Sequence, residues 1–140
     1  MVVRFERRQT FKPEDASHFN FPASLGLHLG QSSWTSTSDY DRSFDWLDLT
    51  PDASVLDIAC GGGAPALRLA HRVGCSVTGI DNNAQAVANA TALARDHGLS
   101  DKVQFEYADA SQFLPFPDGT FQAVVCFDAI VHLPDRPRIF

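Results

Sequence analysis

The 140-residue sequence predicts an α/β fold, a doubly wound parallel sheet preceded by an N-terminal helical arm. Three observations carry this. From residue 54 onward short apolar segments alternate with amphipathic ones, a strand–helix rhythm that builds right-handed crossovers and a parallel sheet. Three glycines, Gly61-Gly62-Gly63, stand between the first strand and the first helix of that series. Asp81 and Asp109 end the second and third strands, where open α/β sheets bind their ligands.

The elements follow in order. Residues 1–38 are rich in Phe, Ser, His and Gly with no sustained period, and read as an arm of loops and short turns. Within it, Gln31-Ser32-Ser33-Trp34 reads either as a lid over a ligand or as an aromatic anchor to the core. Asp39–Leu47 reads as a short amphipathic helix, with Asp39 as N-cap and Tyr40, Phe44 and Leu47 on one face. Thr50-Pro51-Asp52 ends it. Ser54–Ala59 is a short apolar strand, and Cys60–Gly63 is a tight turn. Pro65 suits the first turn of the next helix, where its missing N–H costs nothing. Ala66, Leu69, Ala70 and Val73 form that helix's apolar stripe, and Gly74 suits its end. Ser76–Ile80 is the second strand. Asn83–His97 is alanine-rich and helical, stopped by Gly98. Val103–Ala108 alternates as the third strand, and Asp118-Gly119 marks a turn. Gln122–Phe127 is a fourth strand, apolar on both faces as in the middle of a parallel sheet. The chain thus divides into an arm or lid, residues 1–38, and a domain, residues 39–140.

Composition narrows the functions. Seventeen acidic residues against eleven basic ones give a net charge of -6, which argues against a broad nucleic-acid footprint. Arg4, Arg7 and Arg8 cluster on the terminal segment and read as a solvated tail. No apolar run is long enough to span a bilayer, and MVVRFERRQT lacks the apolar core of a secretory signal. Cys60, Cys75 and Cys126, odd in number and set in apolar segments, fit reduced thiols in a cytoplasmic protein. They lack zinc-site spacing, and His18, His28, His71 and His97 show no ligation pattern, so no metal is expected.

The glycine turn carries the chemistry. Glycines let backbone approach a ligand, and the helix that follows offers free N–H groups. Gly61-Gly62-Gly63-Ala64-Pro65-Ala66 satisfies the GxGxxA dinucleotide fingerprint. Asp81, 20 residues after Gly61 (81 − 61), is placed to accept from ribose hydroxyls. Asp109 could accept an exocyclic adenine amine while the Ala110 N–H meets a ring nitrogen. Asp57 lies within the first strand, where a charge needs a partner; a cationic ligand group would supply one.

Val55-Leu56-Asp57-Ile58-Ala59-Cys60-Gly61-Gly62-Gly63 resembles the first motif of class I S-adenosylmethionine (SAM)-dependent methyltransferases, VLDxGCGxG. Val77–Asp81 resembles their second motif, Ala108-Asp109-Ala110 their third and Phe121–Cys126 their fourth. The resemblance covers about residues 40–140. It implies a Rossmann-like sheet of order 3-2-1-4 and SAM as cofactor. It implies that Asp57 and the turn Ala59, Cys60, Gly61 and Gly63 hold the methionine end, that Asp81 takes the ribose, and that Asp109 and Ala110 take the adenine, with Asn82 and Phe127 completing the pocket. Two positions depart from the pattern. Ala59 replaces a glycine, so its backbone must keep negative φ or bear strain. Asn82 replaces an apolar residue that would face the adenine ring.

The fourth strand leads into Phe127-Asp128-Ala129-Ile130-Val131-His132. Asp128 and His132 are four apart, so a helical turn would set them on one face, and His is suited to accept a proton near neutral pH. The stretch resembles small-molecule N-methyltransferases acting on phosphoethanolamine or on sarcosine and dimethylglycine. That resemblance implies an amine acceptor with Asp128 and His132 beside it; alternatively, His132 packs structurally under a loop. Asp135–Phe140 looks like the start of another helix. In the resembled family further strands follow, so the sequence is expected to be truncated, its fourth-strand edge open to self-association. Two other functions fit part of the pattern. A nicotinamide-dependent oxidoreductase explains GxGxxA but neither Asp57 nor Asp109, and a non-catalytic SAM-binding fragment fits the missing half.

Overall fold

The computed structural model describes residue 35 and residues 37–112, 114–134 and 136–139. The arm reading of residues 1–34, including Gln31–Trp34, lies outside the described residues. The elements run α1 (Thr37–Leu47), β1 (Ser54–Ile58), α2 (Ala64–Val73), β2 (Ser76–Asp81), α3 (Ala84–Asp96), β3 (Val103–Tyr107), β4 (Ala123–Val125), a 3-10 turn (Ile130–His132) and α4 (Arg136–Ile139). The sheet is parallel with order β3-β2-β1-β4. That is the α/β architecture and strand order expected from the sequence. Asp39, expected as a cap, instead lies in the first turn of α1, which starts two residues earlier.

Strand alternation sorts the side chains into two layers. On one face Val55, Val77, Val103 and Val125 pack with Tyr40 and Phe44 of α1 and with Ala66, Leu67, Leu69 and Ala70 of α2. On the other, Leu56, Ile58 and Ile80 are covered by Leu114, Phe116 and Phe121, from the segment between β3 and β4, and by Leu133 and Ile139. Gly74 ends α2 at φ 83, its N–H donating to the Ala70 carbonyl at 2.8 Å. Asn83 caps α3, its side chain accepting the Gln85 and Ala86 N–H groups at 3.0 and 3.2 Å.

The fourth strand is shorter than its apolar run suggests. Only Ala123–Val125 pair, all with β1, and Val124 is 40% exposed. Among the described residues nothing pairs with its outer edge, so an apolar strand occupies an edge position rather than a central one. No described helix is long and apolar enough to cross a membrane.

Candidate functional site

The carboxyl ends of β1 and β2 meet at the turn Ala59–Gly63. Cys60 N–H donates to the Ile80 carbonyl, and Gly63 N–H closes the turn on the Cys60 carbonyl, both at 3.0 Å. The turn bends through left-handed backbone at Ala59 (φ 57), Gly61 (φ 53) and Gly63 (φ 80). Of the two options open to Ala59, strain is therefore the one realised, at a cost of about 1–2 kcal/mol for an L-residue.

Two glycines let a ring close the turn from below. A Cβ on Gly63 would lie 2.4 Å from Phe105 Cζ, and one on Gly79 would lie 2.6 Å from Phe105 Cδ1 and 3.0 Å from Cys60 Sγ. Phe105 is thus wedged under the turn, a role no motif in the sequence marks.

The acids occupy three different environments. Asp81 braces the turn: Oδ2 accepts the Gly61 N–H at 2.9 Å and Oδ1 the Asn83 N–H at 2.8 Å. Asp109 folds back on its own loop, Oδ1 accepting the Ser111 N–H at 2.9 Å and the Ser111 hydroxyl at 2.7 Å. These bonds hold its carboxyl below the ordinary range, and Oδ2 takes no bond among the described residues. Both acids make the Asx-type turn that Asp-x-Ser and Asp-x-Asn spacings favour, which is the signal that could have revealed Ser111.

Asp57 is the exception. It is 1% exposed, and neither oxygen has a hydrogen-bond partner among the described residues. Its neighbours in register are Gly79 and Val125, which offer it no side-chain donor. Burial first, and the Asp81 charge second, push its carboxyl up to about 8. Burial raises the thiols of Cys60 and Cys126 as well, with Asp57 adding to both shifts, so neither is poised as a thiolate. A buried carboxylate without a donor is costly, and a cationic group seated at the turn would remove that cost.

The remaining candidates lie around this centre. Asn82 is exposed, and Ala110 is half-buried against the Leu56–Ile58–Ile80 layer. Phe127 packs edge-on against Tyr40 and Phe44, with ring centroids 5.1 and 5.8 Å apart, which ties it to α1. The expected helical turn joining Asp128 to His132 does not form. Asp128 has φ 59 and precedes a 3-10 turn that begins at Ile130; the left-handed residue breaks the helical path, so four-residue spacing does not set the pair on one face. His132 is exposed at the end of that turn. Asp128 instead accepts the Tyr40 hydroxyl on Oδ2 at 3.1 Å and the Thr35 hydroxyl on Oδ1 at 2.5 Å. Tyr40 and Thr35 were invisible as partners because they lie 88 and 93 residues away in sequence. Among the described residues no cluster of three or more His, Cys, Asp or Glu could hold a metal ion.

Comparisons with known proteins agree with this geometry. Residues 55–140 match the family model described as a methyltransferase domain. A sterol 24-C-methyltransferase of Gibberella zeae is 37% identical over 156 aligned positions, covering 99% of this chain and 40% of that protein. The 27-O-demethylrifamycin SV methyltransferase of Amycolatopsis mediterranei is 41% identical over 96 residues, covering 69% and 35%. The crystal structure of a SAM-dependent methyltransferase from Geobacter sulfurreducens in complex with S-adenosylhomocysteine matches with a TM-score of 0.63 at 25% identity, covering 79% of this chain and 45% of that one. The chain therefore spans less than half the length of these relatives. With the sheet order, the glycine turn and the family match in agreement, the chain belongs to the methyltransferase-domain family.

Proposed function

We propose that this chain binds SAM at the turn Ala59–Gly63 and serves methyl transfer to a small-molecule acceptor. The observation that carries the reading is Asp57, a fully buried carboxylate with no donor among the described residues, directly behind the turn. The amino-acid ammonium of SAM supplies the missing cation, whereas a nicotinamide dinucleotide carries no ammonium. Asp57, Ala59, Cys60, Gly61 and Gly63 would hold the methionine end, Asp81 the ribose, and Asp109 with Ala110 the adenine. Asn82 and Phe127 would border the ring. Residues 39–140 form the binding unit in this reading, and residues 1–38 its arm.

When bound, SAM supplies a methyl group activated by its sulfonium. The protein's tasks are then to align the acceptor, exclude water and take a proton where the acceptor carries one. Asp128 and His132 are the candidates on the acceptor side, and a carboxylate fixed by Tyr40 and Thr35 suits an amine. A carbon or oxygen acceptor is the second reading, favoured by the sterol 24-C and rifamycin 27-O relatives. The outer edge of β4 would be covered by further strands, or by a second copy of the chain.

Calorimetric titration tests the cofactor. SAM and S-adenosylhomocysteine are expected to bind and NAD is not; NAD binding in their place would favour the oxidoreductase. Methyl release, measured with phosphoethanolamine, sarcosine and a sterol, then separates the acceptors. SAM binding with no release from any of them would favour a non-catalytic binding fragment. Sedimentation at micromolar concentration tests the edge, and a monomer there removes self-association.

A further inference from the structure

We infer that cofactor binding at the glycine turn is coupled to loss of one proton from Asp57, so that the ligand's ammonium trades places with a proton. The inference rests on the SAM-binding reading above and adds to it the protonation state of Asp57 before the ligand binds. Asp57 is 1% exposed, and both its oxygens lack a partner among the described residues. The one charge that acts on it is acidic, Asp81 from the end of β2, and Asp57 in turn bears on two thiols, Cys60 of the turn and Cys126 at the exit of β4. The first turn of α2, Ala64–Leu67, has no ionisable side chain. On α1 the Tyr40 hydroxyl donates to Asp128 and the Ser43 hydroxyl to the Asp39 carbonyl. No cation is therefore at hand among the described residues to stabilise an ionised Asp57, and a carboxylic acid in such a place keeps its proton.

The position of the acid up to about 8 states the same thing thermodynamically. Seating an ammonium beside Asp57 reverses the balance, because an opposite charge in a dry site favours ionisation. Only an O–H bond breaks; the proton passes to solvent and the carboxylate keeps the electron pair. Cys60 and Cys126 are pushed away from ionisation rather than toward it.

The test is calorimetric titration of the chain with S-adenosylhomocysteine at pH 6.5, in buffers of differing ionisation enthalpy. At that pH the ligand's amine is nearly all protonated. The dependence of heat on buffer should show about one proton released per ligand bound, and affinity should rise about five- to eightfold from pH 6.5 to 7.5. Asp57→Asn keeps the side-chain shape and should abolish the release while weakening affinity about tenfold or more. Ligand binding without proton release overturns the inference and leaves SAM binding intact. Release that persists in Asp57→Asn overturns it too, by assigning the proton elsewhere. Absence of any binding by the parent chain overturns the SAM reading itself.

Discussion

Replacing Gly63 by alanine tests the tightest packing in the site. Gly63 has φ 80, and a Cβ there would lie 2.4 Å from Phe105 Cζ and 2.8 Å from Phe105 Cε1 and Ala90 Cβ. Two costs add. Left-handed backbone costs an L-residue about 1–2 kcal/mol, and overpacking a filled interior costs about 1–3 kcal/mol. The sum, about 2–5 kcal/mol, is a large share of the ~5–15 kcal/mol that holds a domain together. Gly79→Ala separates the two terms, because Gly79 does not have positive φ while its Cβ would still lie 2.6 Å from Phe105 Cδ1. It should cost about 1–3 kcal/mol. Trimming the ring with Phe105→Leu in the Gly63→Ala background relieves the contact and leaves the backbone strain. The double variant should therefore be about 1–3 kcal/mol more stable than the two single losses predict. Urea unfolding followed by circular dichroism measures the parent, the three single variants and the double variant. A Gly63→Ala chain within ~0.5 kcal/mol of the parent, or strict additivity in the double variant, would show that Phe105 is not wedged under the turn.

Ala59→Gly should relieve the left-handed strain at φ 57 and raise stability by up to about 1 kcal/mol, after the greater flexibility of an unfolded glycine is subtracted; the urea midpoint reports it. Asp41 is held below its ordinary 3.8, chiefly by the hydrogen bond from Arg68. Its stabilisation is therefore present above pH ~4 and lost as pH falls below that, and Asp41→Asn should cost about 1 kcal/mol at pH 7 and much less at pH 3. Asp45→Asn should cost less than ~0.5 kcal/mol, because the Asp45–Arg72 pair is mostly solvated. Asp57 gives the opposite sign. Its folded value is raised from 3.8 to about 8, so the folded chain binds the extra proton and ligand-free stability should fall as pH rises from about 4 to 8. Asp57→Asn should flatten that slope in urea midpoints taken at pH 5 and 7.5.

The parts of the fold legible in sequence were those written in local pattern. Alternating apolar strands, Pro65 in the first turn of α2, Gly74 at its end and Asn83 ahead of α3 each act within a few residues. The positions of Asp57, Asp81 and Asp109 at successive strand ends were legible for the same reason. What escaped depends on contacts between distant segments. The ring of Phe105 under Gly63 and Gly79 requires β3 to lie beside β2, and the Tyr40 bond to Asp128 requires α1 to reach the exit of β4. The Asp128–His132 spacing misled because a period of four implies one face only where the backbone is helical throughout, and Asp128 is left-handed. Gln122–Phe127 misled in a different way. Its apolar run suggests burial on both faces, yet Val124 is 40% exposed and only three of its residues pair in the described sheet.

The distribution of charge explains why the strand-end acids, rather than the helix acids, point to a ligand. On α1 each acid near α2 has a base: Arg68 is bidentate to Asp41 at 2.7 and 2.8 Å, and Arg72 reaches both Asp41 and Asp45. Those pairs pin α1 over the core and use up their charge in doing so. At the strand ends the answer to each carboxylate is a backbone amide, a serine or nothing. Asp81 accepts two backbone N–H groups, and Asp109 accepts two bonds from Ser111 that hold its carboxyl below the ordinary range. Asp57 has none among the described residues, and its burial favours the neutral form until a cation is seated beside it. A neutral adenine or ribose group would satisfy Asp109 or Asp81 but would leave Asp57 as it is. The requirement for a positively charged ligand group therefore falls on one buried side chain.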